Sequence, residues 1–192
     1  MASARRLAAQ LPSSPGRQRL AGCQLFNSPP ADGPRHACNV RLNTLLKNDI
    51  LVLLTLDKAS KIVDAALAEA RSRSFAPLAV AVLDAGGHLL AFKREDGAGI
   101  LRYDIAFAKA WGSLGMGFGS REMTARAAKH PVFIDALTSI SGGRMAPSPG
   151  GVLIADPAHG VIGAVGISGD VGDNDEICAL AGISAAGYGP AA

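Results

Sequence analysis

An α+β fold is what the sequence predicts: one antiparallel sheet made of two hairpins and flanked by helices. Three observations carry it. Two pairs of short apolar runs, at Leu78 to Asp84 with His88 to Arg94 and at Val152 to Ala155 with Val161 to Ile167, are each joined by a few turn-forming residues. Connections that short permit only antiparallel pairing. Stretches with helical period precede, separate and follow the hairpins instead of alternating with single strands, which argues against a βαβ arrangement.

The first helix is expected from Thr55 to Ser72. Thr55 suits the cap and Asp57 the first turn, and Ala59, Ile62, Val63, Ala66, Leu67 and Ala70 repeat at three and four, leaving Lys58, Lys61, Asp64 and Glu69 on the other face. Ser74-Phe75-Ala76-Pro77 ends it. The first hairpin turns at Ala85-Gly86-Gly87, with glycines where a positive φ is needed. After the loop at Glu95 to Gly99, a helix runs from about Arg102 to Leu114 with a stripe of Ile105 (or Ala106), Ala108 (or Phe107), Trp111 and Leu114, and Gly115 to Gly119 breaks it. The Gly-x-Gly-x-Gly there follows a helix, not a strand, and so is not the dinucleotide fingerprint. Ser120 is read as the cap of a helix reaching Lys129, and Pro131 as the start of another reaching Leu137. Residues 139–149 form a long loop rich in Gly, Ser and Pro, the kind of segment that often carries function.

The stretch from Pro149 to Ala181 is the most legible in the chain. Asp156-Pro157-Ala158-His159-Gly160 supplies turn chemistry between two β-branched strands. After Ser168-Gly169-Asp170, Asp173 is read as a cap with Glu176 three residues on, a capping-box spacing. Asp170, Asp173, Asp175 and Glu176 also complement the positive helix end. As a metal site the four carboxylates lack the spacing of a calcium loop and any histidine. Ile177, Leu180 and Ala181 are read as the apolar stripe of this last helix.

Charge divides the chain of 192 residues. Residues 1–48 hold seven Lys+Arg and one acid, a net of +6, whereas residues 49–192 hold twelve and fifteen, a net of −3. The folded part is mildly acidic, so its charge gives no reason to expect nucleic acid. Residues 1–48 lack apolar period and contain five prolines, and are read as a disordered basic leader ahead of one domain at 49–192. Two explanations stand for it: an organelle transit peptide, or translation from a start set too far upstream. No apolar run reaches the length of a membrane span. Cys23, Cys38 and Cys178 make an odd count without a CxxC, pointing to reduced thiols and a cytoplasmic location, and Cys178 to a small buried hydrophobe.

Three blocks carry a family resemblance: Ala79 to Phe92 (A-V-A-V-L-D-A-G-G-H-L-L-A-F), Asp104 to Ala110 (D-I-A-F-A-K-A), and V-I-G-A-V-G-I-S-G-D followed by Asp175-Glu176, behind P-G-G-V-L-I. In this order they resemble the GlcG/HbpS family, over roughly Leu54 to Tyr188. The resemblance implies a profilin-like or PAS-like sheet, assembly into homo-oligomers, and binding of haem or another tetrapyrrole, with a role in haem or iron handling or redox stress. An alternative is an enzyme or accessory protein of small organic acid catabolism.

No nucleophile elbow, HExxH, Walker loop or Cys/His ligand spacing is present, so whether the chain is an enzyme is left open. His130, between two helices and beside Pro131, is the leading candidate for an axial haem ligand, with Met116 second and Tyr103, Met123 and Met145 behind. His88 and His159 sit in turns and His36 in the leader. For an acidic ligand the candidates are Lys109, in the D-I-A-F-A-K-A block, Arg144, in the Gly-Gly-Arg loop, and the pair Asp175 and Glu176. The plain reading of Lys109 is a solvent-facing ion pair, and that of Arg144 a solvated loop residue.

Overall fold

The structure, a computed structural model, describes residues 54–191; the leader, with His36, Cys23 and Cys38, lies outside them. Among the described residues are five helices and five strands: α1 (Leu56–Ser72), β1 (Ala79–Asp84), β2 (Leu89–Arg94), α2 (Arg102–Met116), α3 (Ser120–Lys129), α4 (Pro131–Ile140), β3 (Gly151–Asp156), β4 (Gly160–Ser168), α5 (Gly172–Ala185) and β5 (Gly189–Pro190). The strands form one antiparallel sheet in the order β2-β1-β4-β3-β5. Both hairpins are as expected. What joins them is the pairing of β1 with β4, from Ala79 opposite Ser168 to Asp84 opposite Gly163. The two-residue β5 pairs with Ile154 and Ala155 and was not anticipated; Gly-Pro carries no strand signal of its own.

Helices cover both faces of the sheet. On one face α1 and α5 pack over Val80, Val82, Ile154, Val165 and Ile167, and Ile62, Val63, Cys178 and Ile183 are fully enclosed. Each such isoleucine or valine contributes roughly 1.5–3 kcal/mol over leaving it in water. Thr55 caps α1 as expected, its hydroxyl accepting from the Lys58 N–H at 3.3 Å. On the other face α2 lies across β4, β1 and β3 through Ala106 and Ala110. The approach is so close that a Cβ on Gly166 of β4 would run into the Ala106 carbonyl. Small residues on both partners are therefore a packing requirement here.

Three local expectations are corrected. The buried stripe of α5 is Asp175, Cys178, Ala179, Gly182 and Ile183, while Ile177 and Leu180 face outward. The helix meets α1 through its smallest residues: a Cβ on Gly182 would stand 2.6 Å from the Ile62 carbonyl oxygen. The α5 cap is Val171, without a side-chain cap bond, because the helix opens before Asp173 and places that residue inside its first turn. Asp170 holds this end instead, accepting from the Val171 N–H at 2.7 Å and from the Ala76 N–H at 2.7 Å. Ser120 is the first helical residue of α3, not its cap, and its buried hydroxyl accepts from the Gly151 N–H at 2.7 Å. That N–H, at the start of β3, needs an acceptor once α3 covers it.

The helices α3 and α4 pack on each other around Met123, Ile134 and Met145, a small cluster edged by Trp111, Met116, Phe118 and Leu137. Only Ile134 of α4 is buried. Val132 and Ile140 are 82% and 81% exposed and Phe133 is 58% exposed, so the outward face of this helix is apolar.

Candidate ligand-binding site

The helix α2 carries Lys109 on the side that meets the sheet, because its neighbours Ala106 and Ala110 must lie against β4. The lysine is therefore buried. Its Nζ donates to Asp175 Oδ2 and to the Ile167 carbonyl, each at 2.8 Å. The side chains are 3% and 1% exposed, so this is an ion pair but not a solvent-facing one. Asp175 Oδ1 accepts from the Asp170 N–H at 3.1 Å. Burial lowers the Lys109 pKa and raises that of Asp175, and each group opposes the other's shift by charge and hydrogen bond. Gly150 seals the pair: with φ at +114°, a Cβ there would lie 2.7 Å from Asp175 Cβ and 3.1 Å from Lys109 Nζ. The arrangement ties α2, β4 and α5 together and leaves no room for a ligand at Nζ.

Glu176 lies one residue on, within charge range of Lys109, and its carboxylate is taken by Arg121 of α3. The same guanidinium binds Asp173 at 2.5 Å. The two carboxylates hold its pKa above the ordinary arginine value. Arg144 stands apart from this group. Its guanidinium lies over the Trp111 ring at 4.3 Å, and its Nε donates to the Ser141 carbonyl at 2.9 Å. The structure thus brings Lys109, Asp175 and Glu176 to one end of α5 and places Arg144 on the flank of α2.

His130 is exposed at the junction of α3 and α4. It lines an open, mostly apolar concavity of about 560 Å³ with Lys129, Pro131, Val132, Phe133 and Ala136. Met116 is half-buried and packs against the Met123–Ile134–Met145 cluster. Met123 and Met145 are buried in the same cluster, and Tyr103 packs edge-on against Phe92 at 4.9 Å. Both hairpin-turn histidines sit beside turn aspartates: His88 Nδ1 is 3.3 Å from Asp84 and His159 Nδ1 is 2.9 Å from Asp156. Two further concavities, lined by Arg71, Pro77, Arg94, Glu95 and Asp96 and by the Ala85-Gly86-Gly87 turn with Trp111, were not signalled by the sequence. Nothing local marks them, because each forms where separate elements meet. Among the described residues no three His, Cys, Asp or Glu side chains gather as metal ligands.

This fold and sequence have relatives. The family model described as "Haem degrading protein HbpS-like" matches residues 54–184. The chain belongs to the HbpS-like family. Within it, a crystal structure of HbpS from Streptomyces reticuli, a double mutant, is 31% identical with a TM-score of 0.60, over 68% of this chain and 85% of that one. The crystal structure of a PduOC:heme complex is 25% identical, with a TM-score of 0.64 over 71% of this chain and 96% of that one. Klebsiella pneumoniae protein ORFY is 26% identical, with a TM-score of 0.63 over 70% and 90%. No curated protein matches the chain at a significant level. In this HbpS-like domain no helix among the described residues is long and apolar enough to cross a membrane.

Proposed function

We propose that this HbpS-like domain binds haem or a related tetrapyrrole on the outward face of α4, with His130 as the axial ligand. The observation that carries the reading is the position of His130 on the rim of the apolar concavity of about 560 Å³, beside Lys129. The donor chemistry fits the group. An imidazole without a hydrogen-bonding partner among the described residues supplies the iron ligand, Val132, Phe133 and Ala136 supply an apolar wall, and Lys129 supplies a cation for a propionate. Bound haem would bring an iron whose redox chemistry the axial imidazole tunes. Family membership and the haem complex of the PduOC relative support the same reading.

The chain's own residues do the rest. The small Met123–Ile134–Met145 cluster holds α4 in place from beneath, so its apolar face stays outward. Met116 packs into that cluster, which favours His130 over Met116 as the ligand. The exposed Val132, Phe133 and Ile140 also suit contact with a second copy of the chain, and we place homo-oligomer formation with this reading. For the small-organic-acid alternative, Lys109 and Asp175 are sealed, and Arg144 is the accessible candidate. Haemin titration of the full chain, followed in the Soret region, tests the proposal. A saturable, stoichiometric shift lost in His130→Ala is expected. Non-saturable binding, or an unchanged shift in the variant, overturns it.

A further inference from the structure

Tyr103, Phe107, Trp111 and Leu114 are spaced four, four and three residues apart, which puts them on one flank of α2. The flank faces the edge strand β2 and the β1–β2 turn. Tyr103 packs edge-on against Phe92 of β2 and lies 6.1 Å from the Phe107 ring, while Trp111 reaches the turn, where a Cβ on Gly87 would stand 3.1 Å from the indole. Gly87 has φ at +79°, so both the turn and the space require glycine there. What remains is a notch of about 150 Å³ between Ala85-Gly86-Gly87 on one side and Trp111, Leu114 and Gly115 on the other. A cavity of about that size holds one six-membered ring.

Trp111, one wall of the notch, carries a cation on its ring. Arg144 covers Trp111 at 4.3 Å and uses only its Nε, on the Ser141 carbonyl. Its four Nη hydrogens meet no protein acceptor among the described residues. A guanidinium can stay stacked on an indole while its planar fork receives a carboxylate. The nearby carboxylate of Asp84 is already engaged by the Gly86 and His88 N–H groups at 2.8 and 2.9 Å and stands beside the His88 ring.

We propose that this notch is a binding site for a single-ring aromatic carboxylate, the ring against Trp111 and the carboxylate on Arg144. The site is separate from the α4 face and stands whether or not haem binds there.

Trp111 is the chain's single tryptophan, so all of the chain's indole fluorescence comes from a residue that lines this notch. The full chain is titrated with benzoate, and with benzamide and acetate as probes lacking the charge or the ring. Saturable change with benzoate is expected, with benzamide and acetate at least tenfold weaker. Arg144→Ala, at an exposed position, should raise the benzoate Kd about ten- to a hundredfold, the loss of a charge-assisted hydrogen bond. Because that substitution also alters the indole's starting fluorescence, the concentration dependence is the readout. The proposal is overturned by any of three results: no saturable response, equal binding of either control probe, or a Kd unchanged in Arg144→Ala.

Discussion

Removing one member of the buried pair should cost far more than removing both. Lys109 and Asp175 are 2.8 Å apart, with side chains 3% and 1% exposed. At an effective dielectric of 20, unit charges at that distance attract by about 6 kcal/mol. Taking each ion out of water costs several kcal/mol, so the intact pair contributes little net stability. Asp175→Ala leaves an ammonium facing the Ile167 carbonyl alone, and Lys109→Ala leaves a carboxylate with only the Asp170 N–H. Each single substitution should therefore lose about 3–5 kcal/mol, while Lys109→Met with Asp175→Leu should come within about 1 kcal/mol of wild type or exceed it. Urea unfolding of the four proteins measures this. On a domain of this size the single variants should also melt about 10–20 °C lower. The reasoning fails if Asp175→Ala loses less than 1 kcal/mol, or if the double variant is as unstable as the worse single one.

Arg121→Ala should cost less than about 1 kcal/mol in the same assay, despite its two carboxylate partners, because its side chain is 55% exposed and water screens the pairs. A loss above 2 kcal/mol would show that α3 depends on this clamp. Gly166→Ala should lose about 3 kcal/mol or more, at the upper end of overpacking costs, since the Ala106 carbonyl occupies the new methyl's place; wild-type stability would mean that α2 can lift off β4 freely. Asp170 has its pKa held below the ordinary 3.8 by the Ala76 and Val171 N–H groups. A carboxylate with a depressed folded pKa adds stability above its unfolded value and loses it as pH falls through the folded one. Asp170→Asn should thus be less stable than wild type at neutral pH, with the gap closing below about pH 4 in an acid-unfolding series. A gap that persists in acid would assign the loss to packing instead of charge.

What the sequence determined by itself is local. β-branched runs bounded by Gly, Pro and Asp place both hairpins, because strand preference and turn geometry act within a few residues. The period of α1 and its Thr55 cap were readable for the same reason. The three sequence blocks were enough to point to the family. The tertiary structure alone decided which face of α5 is inward, since Ile177 and Leu180 are the larger residues and yet the close approach of α1 selects Gly182. It also decided that Asp170, not Asp173, holds the α5 start, because the Ala76 N–H comes from a loop 94 residues away. The plain sequence reading of Lys109 was a solvent-facing ion pair; burial followed only once β4, with Gly166, came within contact of α2. The meeting of Arg144 with Trp111 and the notch beside Gly87 joins three segments far apart in the chain. Such contacts depend on where whole elements pack, and no window of sequence contains that information.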